Sequence, residues 1–168
     1  MASWNKPFTL FFLMAGILVY CYLEILRIMG VYVPVYSSIA AKAGRPRDEG
    51  RFVLGPVTLA FGAMLVLIIF PPQTAAIAIY ALAFGDGFAS LIGKPFGRIK
   101  PAFMSGKSVE GSLACFAAVF IVTWRVSQNL AISLTAAVTA VIAEAFPLED
   151  FDNILTPLAV GLVLSLLF

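Results

Sequence analysis

Residues 85–112 read GDGFASLIGKPFGRIKPAFMSGKSVEGS. One apolar run ends in this stretch and another begins, and Asp86, Lys94, Arg98, Lys100, Lys107 and Glu110 fall at or between their edges. Groups this polar beside segments this apolar raise the question of whether the chain folds around a water-soluble core or crosses a bilayer. Of its 168 residues, 61% are hydrophobic and 12% charged, with a mean hydropathy of +1.00. Ordinary soluble domains lie far from that composition, so the chain reads as an integral membrane protein.

Working outward, apolar runs cut at charges, Pro and Gly predict spans near 8–29, 52–70, 74–92, 109–127, 130–146 and 154–168. A crossing needs about 20 apolar residues. The expected fold is therefore all-α and polytopic, with about six transmembrane helices, and residues 1–168 form a single membrane domain. The segment VPVYSSIAAKAG (33–44) is too short to cross and is expected to lie along the interface. The opening segment carries Lys6 ahead of an apolar run but no A-x-A cleavage pattern, and reads as a retained first span. Cys21 and Cys115 both lie inside apolar runs and read as small core residues without a disulfide. The chain has no histidine, so His-based acid–base chemistry and His-ligated metals are excluded, and carboxylates must carry any proton or metal chemistry.

Charge sorts by side. If the first span ends in the cytoplasm, all basic residues except Lys6 and Arg125 fall on the cytoplasmic side, as the positive-inside rule expects. Every acid falls there too: Glu24, Asp48, Glu49, Asp86, Glu110, Glu144, Glu149, Asp150 and Asp152. No topology rule requires that of acids. The expectation is an active site on the cytoplasmic face of an inner (cell) membrane protein, with both termini outside.

Asp86 lies between Gly85 and Gly87, near the predicted end of the third span. It either reaches the interface as a solvated acid or serves as a metal ligand or base, the glycines leaving room for an ion or phosphate to approach. Ala89, Gly93 and Gly97 recur at helical spacing, which by itself reads as close helix packing. Gly93 and Gly97, however, bracket Lys94-Pro95, where the helix is expected to end, and so are expected to shape a loop. That loop carries Arg98, Lys100 and Lys107 and is either an anionic-lipid contact or a triphosphate cradle. SGKS is not a P-loop, because Pro101 stands where the first glycine is needed. It does read as a helix start, with Ser108 as N-cap, Glu110 in the first turn, and free N–H groups that suit an anion. Glu110 complements the helix dipole or holds Mg²⁺ on the same phosphates. Glu144 ends the fifth span; Asp152 or Asn153 caps the sixth or closes the site. Glu24, Arg27 and Glu49 read as ion-paired interface residues on the same side.

Asp86-x-x-Ala89-x-x-x-Gly93-x-x-x-Gly97-x-x-Lys100, followed by Lys107-Ser108-x-Glu110-Gly111-x-x-Ala114, resembles the nucleotide-site signature of the CTP-dependent lipid kinases: dolichol, phytol and farnesol kinases and the CTP-using diacylglycerol kinase. CDP-diacylglycerol synthases share much of that core. The ending, Glu144 and then Asp152-Asn153-x-x-Thr156-Pro157, is similar to the kinases, and the synthases' Asp-Arg-x-Asp-Ser is absent. The resemblance implies transfer of the γ-phosphate of CTP, or another nucleoside triphosphate, to a lipid alcohol with Mg²⁺ as cofactor. It implies Asp86, Glu110 and Asp152 as catalytic residues, Asp86 and Glu110 on the metal, and Gly93, Gly97, Arg98, Lys100, Lys107, Ser108, Gly111 and Asn153 at the nucleotide. Glu24, Arg27, Glu49 and Glu144 are additional candidates. The partners are a lipid alcohol, CTP and the membrane, without nucleic acid; homo-oligomerisation is left open. A cytidylyltransferase forming a CDP-lipid is the alternative reading, and a non-enzymatic scaffold or transporter a further one.

Overall fold

A computed structural model describes residues 5–43, 50–101, 104, 107–146 and 148–167, without the side chains of 41–43 and 149. The principal elements are helices: α1 (Lys6–Ile28), α2 (Pro34–Ala43), α3 (Gly55–Ile69), α4 (Pro72–Phe96), α5 (Val109–Ser127), α6 (Leu130–Ala145) and α7 (Asp152–Leu167), with a 3₁₀ turn at Glu149–Phe151. The all-helical expectation holds. α1, α4 and α5 are long and apolar enough to cross a membrane; α3, α6 and α7 are apolar but shorter. Large apolar side chains point outward, among them Phe11 (72% exposed) and Phe12 (70%) on α1. In water so much exposed apolar surface would drive association, whereas against lipid tails it is at home.

The chain divides into two compact units, Met1–Ala60 and Phe61–Phe168. In the first, α1 stops at a Schellman motif. Gly30 takes φ +78°, its N–H bonds the Arg27 carbonyl at 3.1 Å, and the Val31 N–H bonds Leu26 O at 2.9 Å. The segment expected along the interface forms α2, which opens on Pro34, a residue whose missing N–H costs nothing in a first turn. Ser37 Oγ accepts the Val33 N–H at 3.0 Å, satisfying a donor beside that helix start.

In the second unit, α4 packs along α5, α6 and α7. Small side chains make the close approach feasible: Ala75, Ala78, Ala81, Gly85 and Ala89 on α4 and Ser133, Ala136, Ala137 and Ala140 on α6 are all buried. A Cβ on Gly161 of α7 would collide with the Phe70 ring, and one on Gly62 with the Asn153 carbonyl oxygen. The α5–α6 turn uses Gln128 in the left-handed region (φ 51°) and Asn129 as N-cap, its side chain accepting from Ile132 N at 3.2 Å.

One boundary differs from expectation. α4 runs through Lys94-Pro95 to Phe96 rather than ending near 92. Proline's fixed φ is compatible with a helix, and in the last turn it forfeits only one backbone bond. Gly97 N then closes the end on Gly93 O at 3.1 Å. Gly93 is consequently a packing residue inside the helix, not part of a loop. A Cβ there would lie 3.1 Å from Ser108 Oγ and 3.4 Å from Gly111 Cα. Asp86 also moves: it lies about 15 Å along the axis before the end at Phe96, well inside the helix, at 1.5 Å per residue.

Candidate active site

Four helices of the second unit meet around a pocket lined by Leu82 and Asp86 from α4, Cys115 from α5, Glu144 from α6, and Asp152, Asn153 and Thr156 from α7. Asp86 is presented there because Ala78, Ala81, Leu82, Gly85 and Ala89 turn the same broad face of α4 into the bundle. Gly85 is itself a contact, with Val119 Cγ2 and Cys115 Sγ 3.1 and 3.2 Å from where its Cβ would be. Gly87 faces open space. Only one of the two flanking glycines thus leaves the backbone accessible.

Lys107, just ahead of α5, reaches into this group. Its Nζ donates to Asp152 Oδ2 at 2.9 Å, lies 3.4 Å from Glu144 Oε1 and also bonds the Glu144 carbonyl oxygen. Ser112 Oγ holds the other Glu144 oxygen at 3.3 Å. Side chains from three separated parts of the sequence are thereby tied together, and Glu144, an additional candidate in the sequence, stands at the centre. Sequence reasoning did not single out Ser112, and it read Cys115 as a small core residue, which its burial bears out. Both follow Ser108 at helical spacing (108, 112, 115), a small and polar stripe that would have revealed them. Cys115 and Cys21 are free thiols, as expected.

The helix start is capped as predicted, with Ser108 Oγ accepting from Gly111 N at 3.2 Å. Its donors are largely engaged by the protein itself: Val109 N bonds Ile99 O at 3.0 Å and Ser112 N bonds Ser108 O at 3.0 Å. The expected row of free N–H groups for an anion is therefore not what α5 offers. Ser108 is buried, wedged against Gly93, Gly97 and Gly111, where any added Cβ would press on its side chain. These glycines serve the α4–α5 crossing. Gly97 is the tightest, its Cβ position colliding with the Gly93 carbonyl oxygen and Ser108 Oγ; that of Gly111 lies 2.9 Å from the Ala89 carbonyl oxygen and 3.2 Å from Gly93 Cα.

Glu110 is not brought to the pocket. Its Oε1 accepts from Arg98 N at 3.0 Å and Ile99 N at 3.2 Å, and Oε2 lies 3.3 Å from Ile99 N. Arg98 and Lys100 lie exposed on that same loop. Among the described residues, no three His, Cys, Asp or Glu groups stand together in a way that could hold one metal ion.

In the first unit, Glu24 is fully buried and accepts from Arg27 Nε (2.8 Å) and a guanidinium NH₂ nitrogen (2.7 Å), Tyr36 OH (2.5 Å) and Val53 N (2.8 Å). Arg27 also donates to Arg51 O at 2.6 Å, and Tyr20 OH to Val53 O at 2.8 Å. Burial, and then the bond to Glu24, push the Tyr36 phenol well above its usual value. The expected ion pairing of Glu24 and Arg27 is present; Glu49 lies outside the described residues.

Comparison with known proteins brings out lipid kinases. The chain is 34% identical to the phytol kinase of Synechocystis sp. over 147 residues, covering 82% of this chain and 62% of that protein. It is 29% identical over 169 residues to the probable chloroplastic phytol kinase of Triticum aestivum, covering 88% of this chain and 56% of that one. A shorter match, 32% over 62 residues, links 37% of the chain to 28% of CTP-dependent diacylglycerol kinase 1 of Schizosaccharomyces pombe. The chain is thus a relative of the CTP-dependent lipid kinases, the family its motifs resemble. Within that family, phytol kinases recur among its relatives, and it spans about half to three-fifths of their length. No family model matches it, and no solved structure does.

Proposed function

We propose that this chain is a kinase that transfers the γ-phosphate of CTP, or another nucleoside triphosphate, to the hydroxyl of a membrane lipid alcohol such as a phytol-like isoprenoid, a polyprenol or a diacylglycerol. The observation that carries this reading is the convergence of Asp86, Lys107, Glu144, Asp152 and Asn153 on one pocket, in a chain whose relatives are lipid kinases. Six crossings, with this pocket open to the cytoplasmic side, agree with the lopsided charge distribution.

Phosphoryl transfer depends on positioning and charge neutralisation more than on covalent chemistry. The pocket's donors are carboxylate and amide oxygens, the hard ligands Mg²⁺ takes, and Mg²⁺ needs only one or two carboxylates when phosphates complete its shell. These residues fit it, with Asp86 and Asp152 as the ligands. Bound there, Mg²⁺ would neutralise charge on the phosphates. Lys107, bonded to the pocket's Asp152 and Glu144, supplies a point charge for the triphosphate, with Arg98 and Lys100 on the loop ahead of α5 as further cations. A pocket carboxylate takes the alcohol proton as the lipid oxygen bonds the γ-phosphorus, and the bond to the β-phosphate oxygen breaks to release CDP.

Purified protein with Mg²⁺, a panel of lipid alcohols and CTP labelled at either the γ- or the α-phosphate tests this. A kinase moves only the γ-label into lipid. Entry of the α-label with release of pyrophosphate identifies a cytidylyltransferase instead, and transfer of neither rejects an enzyme of this class.

A further inference from the structure

Resting on the reading just given, we propose that Glu110 is a positioning residue that pins the basic loop Gly97–Pro101 to the start of α5, setting Arg98 and Lys100 for an anionic nucleotide, and neither ligates metal nor accepts a proton. A single carboxylate oxygen receives two consecutive backbone N–H groups, from Arg98 at 3.0 Å and Ile99 at 3.2 Å. The next peptide group bonds back: Ile99 O accepts the Val109 N–H at 3.0 Å. Loop and helix start are therefore joined in both directions, at the two residues that precede Lys100. Charge-assisted bonds of this kind are the stronger class, and the two N–H groups take up both lone pairs of Oε1. Beneath the loop, Ser108 leaves no room for a side chain at 97 and little at 93, so the pin sits on a close-packed base.

The chemistry separates this role from metal binding. A glutamine keeps a carbonyl oxygen where Oε1 accepts both N–H groups but loses the negative charge a metal ligand needs, whereas alanine loses both. The loop also carries its own reporter. Between Lys94 and Lys107, Lys94 and Lys100 are each followed by proline, which trypsin does not cleave, so the susceptible bond is Arg98–Ile99, whose N–H is one of those pinned. Cleavage there tracks how often the loop opens.

Trypsin digestion of the full-length protein in detergent, with Glu110→Gln and Glu110→Ala beside wild type, tests the pin without any reaction. Cleavage at Arg98 about tenfold faster in Glu110→Ala and within about threefold of wild type in Glu110→Gln is expected, on the scale of losing two such bonds. Equal rates in all three overturn the pin. Equilibrium binding of labelled CTP should weaken about tenfold in Glu110→Ala and recover in Glu110→Gln, with an unchanged Mg²⁺ midpoint. A Glu110→Gln protein that needs much more Mg²⁺ makes Glu110 a ligand and overturns the assignment. If wild type binds no nucleotide while the digestion pattern holds, the pin stands and the nucleotide reading falls.

Discussion

The two units each bury a charged cluster and treat it oppositely. In the first, Glu24 is saturated: two nitrogens of Arg27, the Tyr36 hydroxyl and the Val53 N–H consume its acceptor sites, and the pair is closed. In the second, one ammonium, that of Lys107, is divided between Glu144 and Asp152, and Asp86 lines the same pocket. A buried carboxylate with a full set of partners holds chain segments together, here α1, α2 and the strand of backbone at 51–53. A cation shared among acids leaves a site where another cation or a phosphate can rearrange the partners at modest cost. Ion pairing alone does not mark function: the first cluster is closed on itself, whereas the second borders a pocket.

The sharpest way to break this comparison is Asp86→Asn. It should leave the protein folded and cut Mg²⁺-dependent turnover by roughly a thousandfold or more, about 4 kcal/mol in barrier. Turnover within about tenfold of wild type makes Asp86 a packing residue like its neighbours on α4.

Glu24→Ala should do the reverse. Removing one partner of a buried pair costs about 3–5 kcal/mol, seen as a lower thermal midpoint in detergent, while the surviving folded fraction keeps its turnover per molecule. A stable but inactive Glu24→Ala protein would move Glu24 into the working site.

Lys107→Ala sharpens the second half of the contrast. With its ammonium gone, Glu144 and Asp152 should attract Mn²⁺ more strongly in the absence of nucleotide, by about tenfold or 1.4 kcal/mol, and bind CTP more weakly. Paramagnetic titration with Mn²⁺ reads the first effect, and unchanged Mn²⁺ affinity would show that the lysine is no counter-ion to this pocket.

The smallest effects separate two glycines of the same region. Gly111→Ala, pressing on the Ala89 carbonyl and Gly93, should cost about 1–3 kcal/mol by overpacking. Gly87→Ala, with open space around it, should be neutral or stabilise by up to about 1 kcal/mol through helix propensity. Equal thermal midpoints for the two variants would undo the assignment of Gly111 to the helix crossing.

Much of the fold was legible in the sequence because apolar runs long enough to cross a bilayer admit helix almost alone, and their edges are written in charges, Pro and Gly. The Ser108 cap and the tight turn at Gln128-Asn129 were readable for the same local reasons. The end of α4 was not, because whether a proline breaks a helix or rides in its last turn depends on what receives the chain beyond it. Here Gly97 closes on Gly93, and the Gly93–Gly111 approach holds both helices at that depth.

Composition and residue order by themselves determined an all-helical, bilayer-compatible chain and the identity of Asp86, Lys107 and Asp152 as groups worth attention. Only the tertiary structure decided how they are partnered. It brought Glu144 to the centre, gave it Ser112 as a partner, and turned Glu110 toward the backbone of Arg98 and Ile99. Spacing along one helix fixes which face a side chain occupies, but which neighbour meets that face, and at what depth, is set by how closely small residues let the helices approach.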